Sequence, residues 1–281
     1  MELQIPFSNQ HIQWLTDTGK TIQTTCGREA KVFCFSPDQT DDTVMSAWAK
    51  HFRNHYCDDN EIDELKEGMG LSREQYLLKV KFPVRQVTGK HEKTGPATRS
   101  GDFAELLVSD YLEFILNYWV PRTRYEFKVN PNLSENGSDS IGFKISADGN
   151  ELNDELLVYE VKAALTAKKP VNKLQAAVDD SSKDSVRIAE SLNAMKQRLR
   201  LKGNADGARQ VQRFQNPTDR PYVENYGAAA VITCSGYSNP EIEKTDASKH
   251  SNADNLQLIV IKGEGLMDLA HSLYERAANE A

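Results

Sequence analysis

Apolar and polar positions along this chain follow two rhythms, one of period two and one of period 3.6. Alternating or continuous apolar runs bounded by turn residues predict strands at 31–37, where Pro37 stops the run, and at 124–129, 138–147, 156–162, 228–234 and 256–262. Helical spacing predicts a helix from Asp42 carrying Val44, Met45, Trp48 and Phe52. It predicts others over 99–118 (Phe103, Leu106, Leu107, Tyr111, Phe114, Ile115), 172–202 (Ile188, Leu192, Met195, Leu199) and 266–278. Ser72 and Gln75 fit a capping box, and Ser100 or Asp102 is expected to cap the 99–118 helix. Residues 77–87, containing Pro83, read as extended, and Asp148-Gly149-Asn150 as a hairpin turn. The stretches 203–221 and 238–255 read as polar loops. Thr88 to Ser100, rich in Gly, Lys and Thr, is the expected boundary between an N-terminal α+β region (1–98) and a second unit (99–281). From residue 99 the order is helix, three strands in a meander, long helix, strand, strand, helix. That predicts an α/β core with a mixed sheet flanked by helices.

The strand at 156–162 is apolar until it ends in Glu160-Val161-Lys162. Period two puts Glu160 and Lys162 on one face and Val161 on the other. An acid and a base at the end of a buried strand are costly unless something offsets them, and a metal ion with a reacting phosphate would. Charge sharpens this. The 281 residues carry a net charge of −7, which taken whole speaks against nucleic acid, but the distribution is uneven. Residues 99–161 carry 5 basic and 12 acidic side chains, and residues 162–220 carry 13 and 6. An acidic segment that can hold cations meets a basic segment that can track phosphates, and they meet at this strand.

No apolar run approaches the roughly 20 residues of a membrane helix, and the N-terminus shows no signal-peptide pattern, so a cytoplasmic protein is expected. Cys26, Cys34, Cys57 and Cys234 are widely spaced and read as free thiols. His51 and His55, one turn apart and followed by Cys57 and Asp58, have a spacing that could hold zinc. They lack the glutamate of H-E-x-x-H and a second cluster, so packed side chains are the expectation.

The candidate chemistry lies in Glu105, Asp139, Glu160 and Lys162. Asp139 begins one predicted strand and Glu160 ends its neighbour, so the meander brings the two acids within about 5 Å in backbone terms. With a backbone carbonyl near Val161, these acids make an all-oxygen site suited to magnesium. Lys162 would orient or activate the attacking water and hold a phosphate oxygen.

This arrangement resembles the PD-(D/E)xK nuclease superfamily, with a restriction-endonuclease-like core over about 99–278. Asp139 takes the aspartate position, with Ser138 in place of proline before it. Glu160 and Lys162 take the E-x-K positions, and Glu105 the helix acid. The resemblance implies magnesium, with manganese as a substitute, held by Glu105, Asp139 and Glu160. It also implies nucleic-acid contacts from the following helix, at Lys173 and Gln175; Lys196 and Arg198 are further basic-segment candidates. The chain is more closely similar to the nuclease subunit of Hachiman anti-phage defence systems. That similarity rests on Gly101-Asp102-Phe103-Ala104-Glu105, Ser138 to Phe143, Tyr159 to Lys162 and His271 to Ala277. It implies a DNA nuclease held in check by a superfamily 2 helicase, with region 1–98 or the basic helix binding that partner. The residues themselves leave open a stand-alone restriction or repair endonuclease, a non-catalytic DNA- or helicase-binding subunit, and whether DNA or RNA is cut.

Overall fold

The computed structural model describes residues 9–87, 94–147, 149–182 and 185–281, without the side chains of 185 and 186. Its elements are Leu15–Gln23 (β1), Glu29–Phe35 (β2), Asp42–Asn54 (α1), Ile62–Leu65 (α2), Arg73–Tyr76 (α3), Gly95–Asp110 (α4), Ser140–Lys144 (β3) and Glu155–Ala164 (β4). Then come Lys173–Ser181 (α5), Ser185–Leu201 (α6), Ala205–Arg213 (α7), Val223–Thr233 (β5), Asn239–Glu243 (α8), Leu256–Gly263 (β6) and Leu266–Asn279 (α9).

All six strands join one sheet in the order β1-β2-β6-β5-β4-β3. The centre is parallel, with β2 beside β6, β6 beside β5 and β5 beside β4, and each edge is antiparallel. The protein is therefore of the α/β class with a mixed sheet flanked by helices. Residues 9–87 share that sheet, because β2 pairs with β6 from the far end of the chain.

Alternation along the central strands builds two apolar layers. Leu157, Tyr159 and Val161 of β4 face α1, α4 and α9. Leu156 and Val158 face α5, α6 and α7. The strands can approach this closely because β5 carries small residues. Gly227 lies opposite Tyr159, and a β-carbon there would stand 2.2 Å from the tyrosine ring.

Several expectations change. The predicted 99–118 helix starts earlier, at Gly95 with Pro96 in its first turn, so Ser100 and Asp102 lie inside it. Asp102 is buried and bonds Lys128 and Tyr56 instead of capping. Beyond Asp110 the helix widens into a π turn over Tyr111–Ile115. The predicted extended segment at 77–87 begins as another π turn, Leu77–Lys81. The predicted strand at 124–129 is a run of turns, so β3 and β4 form a hairpin rather than part of a three-strand meander. The predicted 172–202 helix is two helices, α5 and α6. Asn172 caps α5 by accepting from the Gln175 amide. The polar stretch 203–221 holds α7, capped by Asn204, and the polar stretch 238–255 holds α8. Residues 88–93 of the expected boundary loop, and Asp148 of the expected hairpin turn, lie outside the described residues.

Candidate functional site

The β3–β4 register fixes the first two acids. Ser140 pairs with Tyr159, so the next step along the hairpin sets Asp139 against Glu160. The backbone N–H of Val161 donates to Asp139 Oδ2 at 2.9 Å. The Val161 amide thereby holds the aspartate in place.

Glu105 arrives from the other side of β4, on α4. Its Oε2 accepts from the Tyr125 hydroxyl at 2.5 Å and lies 3.0 Å from Arg124 Nε. The same guanidinium reaches Asp139 Oδ1 at 3.1 Å through Nη2. Lys162 Nζ is 2.6 Å from Glu160 Oε1 and 2.8 Å from Asp180 Oδ2 on α5. Glu160 is 3% exposed, and its second oxygen, Oε2, is buried with no hydrogen-bond partner among the described residues. A buried carboxylate oxygen left unmatched is expensive, and a cation is its natural complement.

These groups line one cleft of about 950 Å³: Glu105, Arg124, Asp139, Glu160, Lys162 and Asp180. A narrower cavity of about 280 Å³ lies behind Arg124 and Asp139 and is lined by Leu106, Val120, Ile141 and Met195. Only the larger cleft gathers Glu105, Glu160 and Lys162 together.

The electrostatics follow from crowding. Burial, then Glu105 and Glu160, push the Asp139 carboxyl well above its usual range, and Arg124 and the Val161 amide only partly offset this. Burial works against the charge on Lys162, but hydrogen bonds to Asp180 and Glu160 outweigh it and hold the ammonium above its ordinary pKa. Lys162 is therefore a protonated donor at neutral pH. Arg124 is likewise held charged by Glu105 and Asp139 against its burial.

Glu105, Asp139 and Glu160 fit a hard divalent cation such as magnesium or manganese, since all donors are carboxylate oxygens. The unmatched Oε2 of Glu160 and the crowding around Asp139 are the local signs of that fit.

The four residues that the sequence singled out line one cleft, and sequence reasoning missed their supports. Arg124 and Tyr125 were assigned to a strand. The signal was that Arg124 is one of only five basic residues in the acidic segment 99–161. Asp180 sits three residues after the buried Ala177 and is itself partly exposed at the cleft. The expected nucleic-acid residues lie elsewhere. Lys173 opens α5 and does not line the cleft. Gln175 bonds Asp179 and the Asp246 backbone. Lys196 bonds Gln215, and Arg198 bonds Glu135 and the carbonyls of Thr123 and Arg124. Arg187 and His271 line the cleft instead.

His51 and His55 do not turn to Cys57 and Asp58. Their rings point at each other, Nε2 to Nε2 at 3.3 Å, in a buried cluster with His11 and Asp110. His11 and His51 sit 2.8 Å from the two oxygens of Asp110, a grouping that could in principle hold a metal. Arg122 already supplies the cation there, with Nη2 2.7 Å from Asp110 Oδ1.

Fold and cleft together define an α/β protein in which the edge hairpin β3–β4 and helix α4 gather three acids and a charged lysine in one cleft. The HamA family model matches residues 9–277, almost the whole chain. The chain belongs to the HamA family, whose members are components of Hachiman anti-phage defence. No curated protein matches it. Among the described residues, no helix is long and apolar enough to cross a membrane.

Proposed function

We propose that this chain is a metal-dependent DNA nuclease, the effector of a Hachiman complex with a superfamily 2 helicase. The observation that carries this reading is the buried, unmatched Oε2 of Glu160 beside Asp139, with Lys162 charged at the same strand end. Glu105, Asp139 and Glu160 would hold magnesium or manganese, which when bound lowers the pKa of water and neutralises charge on a phosphate in flight.

The chain's own residues do the rest. Lys162 is fixed between Glu160 and Asp180, so its ammonium is aimed before substrate arrives. Being protonated, it donates to a non-bridging phosphate oxygen and orients the attacking water rather than taking its proton. Tyr125 and Arg124 hold Glu105 in one orientation. The Val161 amide does the same for Asp139. A cleft of about 950 Å³ admits an extended strand, and Arg187 and His271 on its walls are candidate contacts to the phosphate backbone. The net charge of −7 weakens free association with DNA, which fits a chain delivered to substrate by a partner. Residues 1–98 remain our candidate for that contact.

The test is incubation of the chain, alone and with its helicase subunit and ATP, with linear DNA, circular DNA and RNA in magnesium, manganese or EDTA. We expect DNA to be shortened only where a divalent ion is present. DNA intact in every metal condition, or degraded equally in EDTA, would overturn the proposal.

A further inference from the structure

We infer that Arg124 is a resident counter-cation standing where a second metal would otherwise bind, so that the cleft takes one divalent ion per chain. The inference rests on the nuclease reading above and concerns how its site is loaded.

Arg124 is woven into the carboxylate set. Its Nε is 3.0 Å from Glu105 Oε2 and its Nη2 3.1 Å from Asp139 Oδ1. The same group donates to the carbonyls of Ser138 at 2.5 Å and Glu135 at 2.9 Å. The loop is pinned in turn from α6. Arg198 Nη1 donates to the carbonyls of Thr123 and Arg124 at 3.1 and 3.2 Å, and Nη2 meets Glu135 Oε2 at 3.1 Å. A guanidinium with this many fixed partners, 16% exposed, is built in rather than visiting.

Charge then limits what else can enter. Arg124 already offsets part of the charge on Glu105 and Asp139, Lys162 does the same for Glu160 and Asp180, and Arg187 on the cleft wall adds a further cation. The unmatched acceptor is Oε2 of Glu160, whose other oxygen meets Lys162. A second divalent ion at Glu105 would have to share its carboxylate with a positive guanidinium in direct contact, and like charges at that range repel strongly. Arg124 and Tyr125 thus engage Oε2 of Glu105, and its other oxygen joins Asp139 and Glu160 in holding the single ion.

The experiment is manganese binding to the full chain, followed by electron paramagnetic resonance and equilibrium dialysis, on wild type and on Arg124→Gln, Arg124→Lys and Glu160→Gln. We expect one ion in wild type and in Arg124→Lys, and loss of that ion in Glu160→Gln. Arg124→Gln should gain a second ion or bind the first about tenfold more tightly, the effect of removing one adjacent like charge. Two ions in wild type overturn the inference, whether or not the variants fold. Unchanged number and affinity in a folded Arg124→Gln overturn it equally. An Arg124→Gln chain that fails to fold passes the test to Arg124→Met under the same criteria. No ion in wild type, or one indifferent to Glu160→Gln, overturns the nuclease reading and this inference together.

Discussion

Arg122 and Arg124 leave the same loop two residues apart and end in opposite surroundings. Arg122 is driven into a closed cluster, where Asp110 and Glu113 meet it and where His11, His51 and His55 fill the remaining space. Arg122 and Asp110 are each 2% exposed there. Arg124 goes to an open cleft where carboxylates outnumber cations and one oxygen stands unmatched. The chain can send them apart because Arg122 has a φ of 50°, a left-handed turn that breaks strand alternation. Both sites combine acids with an arginine, and only one is closed off from solvent. The closed cluster ties α1 and the segment before β1 to the end of α4, as a staple would. The open one keeps room for something not of the chain, which is what a binding site requires.

The comparison breaks first at Asp110. Burial alone would raise its pKa, but His51, Arg122 and His11 hold the carboxyl well below the usual range. Asp110→Ala removes one of the two carboxylates that hold the buried Arg122 and should cost about 3 kcal/mol of stability, read by urea unfolding. Acid should probe the same cluster. Burial depresses the His51 pKa from 6.5 to about 4, so at pH 7 it is the neutral imidazole and Arg122 is the cation beside Asp110. Between pH 6.5 and 4 the unfolded chain gains a proton at His51 that the folded chain refuses, so stability falls as pH falls through that window. His55, also depressed by burial, acts in the same direction. The loss from His51 is on the order of 3 kcal/mol, at about 1.4 per pH unit, and His51→Gln should flatten that limb of the stability curve.

In the cleft the same kind of change should cost little stability. Asp139 is crowded by Glu105 and Glu160, so the neutral Asp139→Asn should shift unfolding by less than about 1 kcal/mol while removing nuclease activity. A cost equal to that of Asp110→Ala would make the cleft a second staple. The smallest effect expected is at Asp180→Asn, which loosens one anchor of Lys162 and should slow cleavage roughly several-fold, to tenfold at most.

What the sequence made legible was whatever depends on local periodicity. Strand β4, the closing helix α9 and the capping box at Ser72 and Gln75 follow from neighbouring residues alone. Asp139 and Glu160 came together because a hairpin register is a short-range rule. Arg124 and Tyr125 were misplaced because their conformation is set by distant partners, Glu105 and Asp139 for one and Glu105 for the other. Strand β2 reaches the sheet centre by pairing with β6, more than 200 residues away, and no local pattern announces that. Lys173 and Gln175 were expected as nucleic-acid contacts from the resemblance, and Lys196 and Arg198 from the basic segment, and neither source shows the partners these side chains take in the fold. Gln175, Lys196 and Arg198 bond within the fold, and Lys173 lies outside the cleft.

The central claim is that Glu160 and Lys162 act on phosphodiesters and are not merely an ion pair of the sheet. Magnesium-dependent degradation of DNA by wild type, Glu160→Gln and Lys162→Ala, each in complex with the helicase subunit and each checked by thermal melting, tests it most directly. The account predicts losses of about a thousandfold or more in both variants with the fold retained. Degradation at the wild-type rate by either folded variant would contradict it.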